Sequence, residues 1–353
     1  MSDRTQELIE QVNRARAAGS TLEIIGGGSK KFMGRETTAD ATIGISGHRG
    51  IVSYEPVELV LTARAGTPLR EIEGALEQNG QMLAFEPPHF GENATLGGIL
   101  ACNQSGPARP WSGSVRDAVL GIRLINGQGE HLRFGGQVMK NVAGYDVSRA
   151  QAGALGSLGI LTEISLKVMP RPAASRTLVQ EMDAAQAIAK MNELAGQPRP
   201  LTGACWLQGR LYLRLAGVAA AVDGSVRRWG GEVLEDGGDF WQTLREHQQA
   251  FFVGEEPLWR FSINSAAPLW RDDAEWLIDW GGAQRWLRGD HPFPELEREA
   301  SRAGGQVALF RGGDRAGEVF ATPSPAVQLL HRRLKEAFDP ARIFNPGRLY
   351  HWM

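Results

Sequence analysis

Three glycine-rich segments, each set against a strand-like run, constrain the fold of this 353-residue chain more than any other feature. They are Gly26-Gly27-Gly28, Gly97-Gly98 and a small-residue stretch carrying Gly153 and Gly156. Glycine loses more backbone freedom on folding than any other residue, so its clusters mark places where another backbone or a bound molecule approaches too closely for a Cβ. The third segment lies inside Gly135 to Pro170, which reads as a loop, a helix from Tyr145 to Ser157 and a strand from Ile160 to Met169. Glycine inside a helix costs about 1 kcal/mol relative to alanine. Close approach or tight helix-on-sheet packing has to offset that cost.

The first segment follows a strand, Leu22 to Ile25, and continues as Ser29-Lys30-Lys31. Consecutive glycines expose backbone N–H groups to anything anionic, so the segment reads as a phosphate cradle or as a plain turn. A Walker-type loop is excluded, because it needs a Lys-Ser or Lys-Thr pair leading a helix and Lys30-Lys31-Phe32 stands there instead. A Rossmann fingerprint is disfavoured, because Phe32 to Thr38 is a poor helix start. The second segment adds the neutral hydrogen-bonding groups Thr95, Asn103 and Ser105, which suit a polar uncharged ligand better than a metal. The three segments together can line one groove for a long ligand with phosphates at one end and a flat ring system at the other.

Around these segments the pattern predicts a first helix capped by Ser2 or Asp3, with Leu8, Ile9, Val12 and Ala15 on one face and Gly19 as its stop. Short strands follow at Ala41–Ile45, Gly50–Tyr54 and Leu59–Ala63, then a helix capped by Thr67 and running to Asn79. Asn126-Gly127 joins Val119–Ile125 to Glu130–Phe134 as a hairpin. From Thr177 the order is β-α-β-β-α-β, with helices Asp183–Ala195 and Val218–Trp229, and further strands run to Phe310. A helix from Ala326 to Phe338 leads the chain back. Of the ten tryptophans, eight lie between Trp206 and Trp286, so the second half is the one rich in large amphipathic rings. Core packing explains most of them; Trp276, Trp280 and Trp286 are also candidates for a partner surface.

Composition narrows the function. A net charge of −2 with scattered arginines leaves no basic excess for a nucleic acid. Cys102 and Cys205 are far apart and form no CxxC pair, so iron–sulfur ligation and structural zinc are not expected and a reduced thiol is. The polar N-terminus has no signal-peptide pattern and no apolar run reaches the roughly 18 residues of a membrane span. A cytoplasmic location is therefore expected.

The strand into Gly26-Gly27-Gly28-Ser29, the run Ala94-Thr95-Leu96-Gly97-Gly98 with Asn103 and Ser105-Gly106, and the run Gly153 to Glu163 resemble the FAD-binding domain of the vanillyl-alcohol oxidase and p-cresol methylhydroxylase (PCMH-type) superfamily. The resemblance resumes at Phe338-Asp339-Pro340-Ala341-Arg342-Ile343-Phe344-Asn345-Pro346-Gly347, a C-terminal signature of its hydroxyacid-oxidising branch. Lys140 to Asp146 and Leu309 to Asp314 are most similar to the FAD-binding subunits of bacterial glycolate oxidases, also called glycolate dehydrogenases.

The resemblance implies an α+β fold: a two-subdomain PCMH-type FAD-binding domain over 1–172, an α+β cap domain with an antiparallel sheet over 173–325, and a C-terminal segment, 326–353, returning to the first domain. It implies that Gly26, Gly27, Gly28 and Ser29 hold the pyrophosphate of FAD, with Thr95, Gly97 and Gly98 on its other side. Asn103, Ser105 and Gly106 would lie along the ribityl chain and flavin. Gly159 and Ile160 would meet the adenosine through backbone atoms, and Asn345 would return toward the isoalloxazine ring. Gly28 stands where covalently flavinylated relatives have histidine, so the FAD is expected to be noncovalent. Cys102 is expected to be a buried structural thiol rather than an attachment point. The histidine-rich metal and base motif of the hydroxyacid-oxidising relatives is missing, since the seven histidines are isolated from one another. Arg260 and Arg311 are the candidate cations for a substrate carboxylate. The implied activity is oxidation of glycolate and D-lactate within a complex, together with a sister FAD subunit carrying the catalytic motif and an iron–sulfur subunit taking the electrons. Any contact with the inner membrane would be peripheral and through that complex.

Overall fold

The computed structural model describes residues 2–136, 146–198, 200–271 and 273–353. Two compact units divide them. One comprises Met1–Gln104, Ser114–Pro170 and Arg315–Met353, the other Ser105–Gly113 and Arg171–Asp314.

The first unit opens with the helix Thr5–Ala18, which buries Leu8, Val12 and Ala15 and ends where Gly19 turns left-handed at φ 65°. Neither Ser2 nor Asp3 is its cap as expected: Arg4 holds that position without a side-chain capping bond, and Asp3, one residue earlier, accepts a hydrogen bond from the Thr5 amide at 3.0 Å. The strand Leu22–Ile25 pairs in parallel with Ala41–Gly44 and emerges directly into the glycine loop. Beside this small sheet stands a five-stranded antiparallel one, ordered Ile51–Glu55, Val60–Arg64, Ile160–Lys167, Val119–Ile125 and His131–Gly135. Its central strand, Ile160–Lys167, is buried on both faces, and Leu61, Ala63, Leu124, Ile125, Ile164 and Leu166 make the core with the helices Leu69–Glu77 and Leu96–Cys102. The hairpin forms as expected, but its left-handed residue is Gly129, at φ 78°, and Gly127 is needed for another reason: a Cβ there would overlap the Asp339 side chain.

Two expectations are corrected here. Thr67 does not cap the following helix; its hydroxyl is buried, accepting from the Gly50 amide at 2.9 Å and donating to the Arg64 carbonyl at 2.6 Å. The helix from Tyr145 to Ser157 is also absent from the described residues, where only Val147–Ala150 is helical. Gly153, Leu155 and Gly156 take φ values of 89°, 49° and 74°, which a right-handed helix cannot contain. Tertiary hydrogen bonds win instead: the Gly153 and Leu155 amides donate to the carbonyls of Leu100 and Ala101 at 3.1 and 2.9 Å. Lys140 to Tyr145, part of one family-like motif, lie outside the described residues.

The second unit follows the expected β-α-β-β-α-β order and builds an eight-stranded sheet whose neighbours are all antiparallel. Helices Ala184–Ala195 and Ala219–Trp229 are part of it. The fold class is thus α+β with an antiparallel cap sheet. Trp276 and Trp286, at 2% and 3% exposure, are core residues here, which removes them as partner-facing candidates. Among the described residues no helix is long and apolar enough to cross a membrane.

Candidate functional site

One cleft in the first unit collects the glycine segments. Gly26, Gly27, Gly28 and Ser29 line it after the strand Leu22–Ile25; Thr95, Gly97 and Gly98 line it from the start of the helix Leu96–Cys102; Gly159 and Asn345 complete the wall. It encloses about 830 Å³ counted out to its open mouth, within the range of small-molecule and cofactor sites.

The glycines do different work. A Cβ on Gly27 would overlap the Asn93 carbonyl oxygen, and one on Gly26 would come within 2.5 Å of Thr95 Oγ1. Among the described residues none accepts a hydrogen bond from the amides of Gly26, Gly27, Gly28 or Ser29. The opposite wall donates nothing comparable, because the Gly97 amide is spent on the Ala65 carbonyl at 2.7 Å and the Gly98 amide on Thr95 Oγ1 at 3.3 Å. Thr95, Gly97 and Gly98 therefore make that wall thin rather than hydrogen-bonding.

Charge in the cleft is positive. Lys30, Lys31 and Arg348 line it with one carboxylate, Glu23, which pairs with Lys31 at 3.1 Å and with Arg348 at 3.7 Å. Lys30 is buried, donating to the His89 carbonyl at 3.0 Å and to Ser29 Oγ at 3.2 Å, with its ammonium 5.5 Å from the Phe90 ring centre. Arg348 donates to the Lys31 carbonyl at 2.7 Å. Cys102 also lines the cleft, and burial raises its thiol pKa, which keeps it protonated and unreactive. Spare amides, excess cations and Cβ-free walls suit the pyrophosphate of a dinucleotide.

The remaining predicted residues fall elsewhere. Ile160 is fully buried in the central strand and does not line the cleft; Leu155, Gly156 and Leu161 do so in its place. Asn103 sits left-handed at φ 49° just after Cys102, and its Oδ1 is buried with no hydrogen-bond partner among the described residues, as for an acceptor awaiting a ligand. Ser105 and Gly106 belong to the second unit. Leu155, Gly156 and Arg348 were missed. Gly156 had been absorbed into the expected helix, and nothing in the local pattern marks Arg348.

Within the second unit, Arg260 lies on the strand Leu258–Ser262, and its guanidinium hydrogen-bonds to no described residue; it is 5.5 Å from the Phe310 ring centre. Burial, with the repelling charge of Arg109 second, pushes its pKa down to about 10. Arg109, which sequence reasoning overlooked, lies 4.5 Å over the Trp280 ring, and Trp280 Nε1 donates to the Gly106 carbonyl at 3.0 Å. His247 stacks on Phe252 at 3.9 Å and its pKa falls well below the usual value through burial and the charges of Arg311 and Arg260. Burial also lowers Arg311. Among the described residues no group of three or more His, Cys, Asp or Glu side chains is placed to hold a metal ion.

An extended dinucleotide gripped through main-chain amides is what the first unit's wall accommodates, and the FAD-binding flavoproteins are the class that this fold and cleft define. A family model described as an FAD binding domain matches residues 2–135. Glycolate oxidase subunit GlcE of Escherichia coli (strain K12) is 50% identical over 348 residues, covering 99% of this chain and 98% of that protein. The chain belongs to the family of that subunit, and its cofactor is FAD. Glycolate oxidase subunit GlcD of Bacillus subtilis (strain 168) is 32% identical over 138 residues, covering 38% of this chain and 29% of that protein. Among solved structures, alkyldihydroxyacetonephosphate synthase matches with a TM-score of 0.68 at 17% identity, over 97% of this chain and 74% of that one, a likeness of fold alone.

Proposed function

We propose that the chain is the FAD-binding subunit of a complex that oxidises glycolate, and D-lactate with it, to the 2-oxo acid. The observation that carries this reading is the glycine-walled, cation-rich cleft with its unused amides, taken with the near-full-length similarity to a glycolate oxidase subunit. Gly26, Gly27, Gly28 and Ser29 hold the pyrophosphate, Lys30 and Arg348 balance its charge, and Asn103 and Asn345 contact the flavin half. Gly28 has no side chain to bond a flavin, and burial keeps the Cys102 thiol protonated, so the FAD is held noncovalently. When bound, the flavin supplies the hydride acceptor.

In this reading Arg260 and Arg109 of the second unit take the substrate carboxylate, and burial, with the charges of Arg311 and Arg260 behind it, keeps His247 neutral. A histidine whose basicity is so lowered, with its ring buried in an aromatic stack, is a weak acceptor for the hydroxyl proton. That base is assigned to a sister FAD subunit, and the electrons to an iron–sulfur subunit. The assembly is cytoplasmic and reaches the membrane only through its partners.

The test is a visible spectrum of the purified chain after gel filtration, followed by turnover of glycolate and D-lactate with a dye acceptor, alone and with co-purified partners. Bound flavin with weak activity alone and strong activity in the complex is expected. A colourless protein that cannot be reconstituted with FAD would leave a flavin-free assembly subunit as the better account, and full turnover by the isolated chain would make it a stand-alone oxidoreductase.

A further inference from the structure

The helix Pro325–Phe338 buries one residue, and that residue is a lysine. Lys335 is 1% exposed and its ion-pair partner Asp339 is fully buried. The ammonium uses three donors, to Asp339 Oδ2 at 2.8 Å, the Ser157 carbonyl at 2.8 Å and the Phe344 carbonyl at 2.9 Å. The carboxylate in turn accepts the amides of Ile343 at 3.1 Å and Phe344 at 2.9 Å. Every strong hydrogen bond of the pair that reaches outside it therefore ends on backbone, at Ser157 or in the two residues before Asn345.

Asn345 stands on the cleft wall and spans it. Its Oδ1 accepts the Ile24 amide at 2.8 Å, its Nδ2 donates to the Leu155 carbonyl at 2.6 Å, and its own amide donates to the Leu22 carbonyl at 3.0 Å. It does so from a left-handed backbone at φ 38°, a conformation that surrounding contacts must impose. Gly156 lies against it, since a Cβ there would come within 2.6 Å of Nδ2. A buried ion pair is weak evidence for stability and is better attested as a device that specifies one geometry.

We propose that Lys335 and Asp339 are positioning residues for the cofactor: through Asn345 they set the spacing between the Ile24–Ser29 wall and the Leu155–Gly156 wall, and so the rate at which FAD leaves. The proposal rests on FAD occupying this cleft.

The experiment uses the full-length chain stripped of flavin and titrated with FAD by flavin fluorescence, with release followed by stopped flow. Lys335→Met combined with Asp339→Asn removes both charges at similar volume. Leu8→Ala opens a cavity in the same unit's core away from the cleft wall and reports what lost stability alone does to binding. The expected result is FAD release at least tenfold faster, with Kd raised in step, in the double variant, and a change below threefold in Leu8→Ala. An FAD affinity within threefold of the unmodified chain, or a loss no larger than that of Leu8→Ala at equal loss of Tm, overturns the proposal. Should the double variant not fold, Lys335→Arg, which keeps both charges but changes the donor geometry, carries the same comparison. Ser29→Glu separates the two readings by placing a carboxylate in the cradle. Unchanged FAD affinity in that variant removes the cleft assignment and the proposal together. Lost affinity there, with normal affinity in the pair variants, removes the proposal alone.

Discussion

Gly27 and Gly28 are neighbours with the same side chain and opposite tolerances. At Gly27 an added methyl group meets the Asn93 backbone, which cannot swing aside, so Gly27→Ala is expected to cost about 3 kcal/mol or more in urea denaturation. Gly28 has open space around it but a φ of 75°, so Gly28→Ala should cost only about 1–2 kcal/mol. Equal losses at the two positions would contradict this account. Arg260 carries a functional prediction at the same scale. A charged hydrogen bond is worth about 1.5–3 kcal/mol, so Arg260→Met in the assembled complex should raise KM for glycolate by about 10-fold to 150-fold at unchanged flavin content. A KM that does not move would take Arg260 out of the site.

At the scale of elements, one helix start is capped by a side chain and another, expected to be, is not. Asp183 before the helix Ala184–Ala195 accepts the Gln186 amide at 2.8 Å, while Gln186 Oε1 accepts the Asp183 amide at 3.3 Å. Asp183→Ala should therefore lower stability by about 1 kcal/mol, read from the urea midpoint. Thr67 carried a capping signal before Leu69–Glu77, yet its hydroxyl is claimed by the Arg64 carbonyl and by the amide of Gly50, which local pattern does not bring to it. The glycine segment at 153 shows the same limit. Its composition was read as a helix costly enough to require compensation, whereas the amides of Gly153 and Leu155 bond to another helix's carbonyls and the glycines serve left-handed turns. Strand runs and the β-α-β-β-α-β order were legible because alternation and turn residues act over short range.

Over the whole molecule, buried histidines tie stability to pH. Burial lowers the pKa of His48, His131, His247 and His331 below 6.5. His48 shows why: its Nδ1 accepts the Arg4 amide at 3.0 Å, a bond that protonation abolishes. The unfolded chain then binds more protons than the folded one between each lowered value and 6.5, so this stability is fully present above about pH 6.5 and is lost as pH falls through that window. Tm measured from pH 8 to pH 5 should drop on the acid side, and a flat profile would refute the linkage. By itself the sequence determined the class of ligand, the glycine segments that line the cleft and most of the order of strands and helices, because these follow from residue type and close spacing. Tertiary structure decided which amides find no acceptor among the described residues, that Arg348 and Gly156 join the cleft, that Arg109 stands near Arg260, and that a lysine in the last helix bonds the carbonyl just before Asn345. Those depend on which backbone groups other parts of the chain have already satisfied, and only the folded chain brings residues so distant in sequence together.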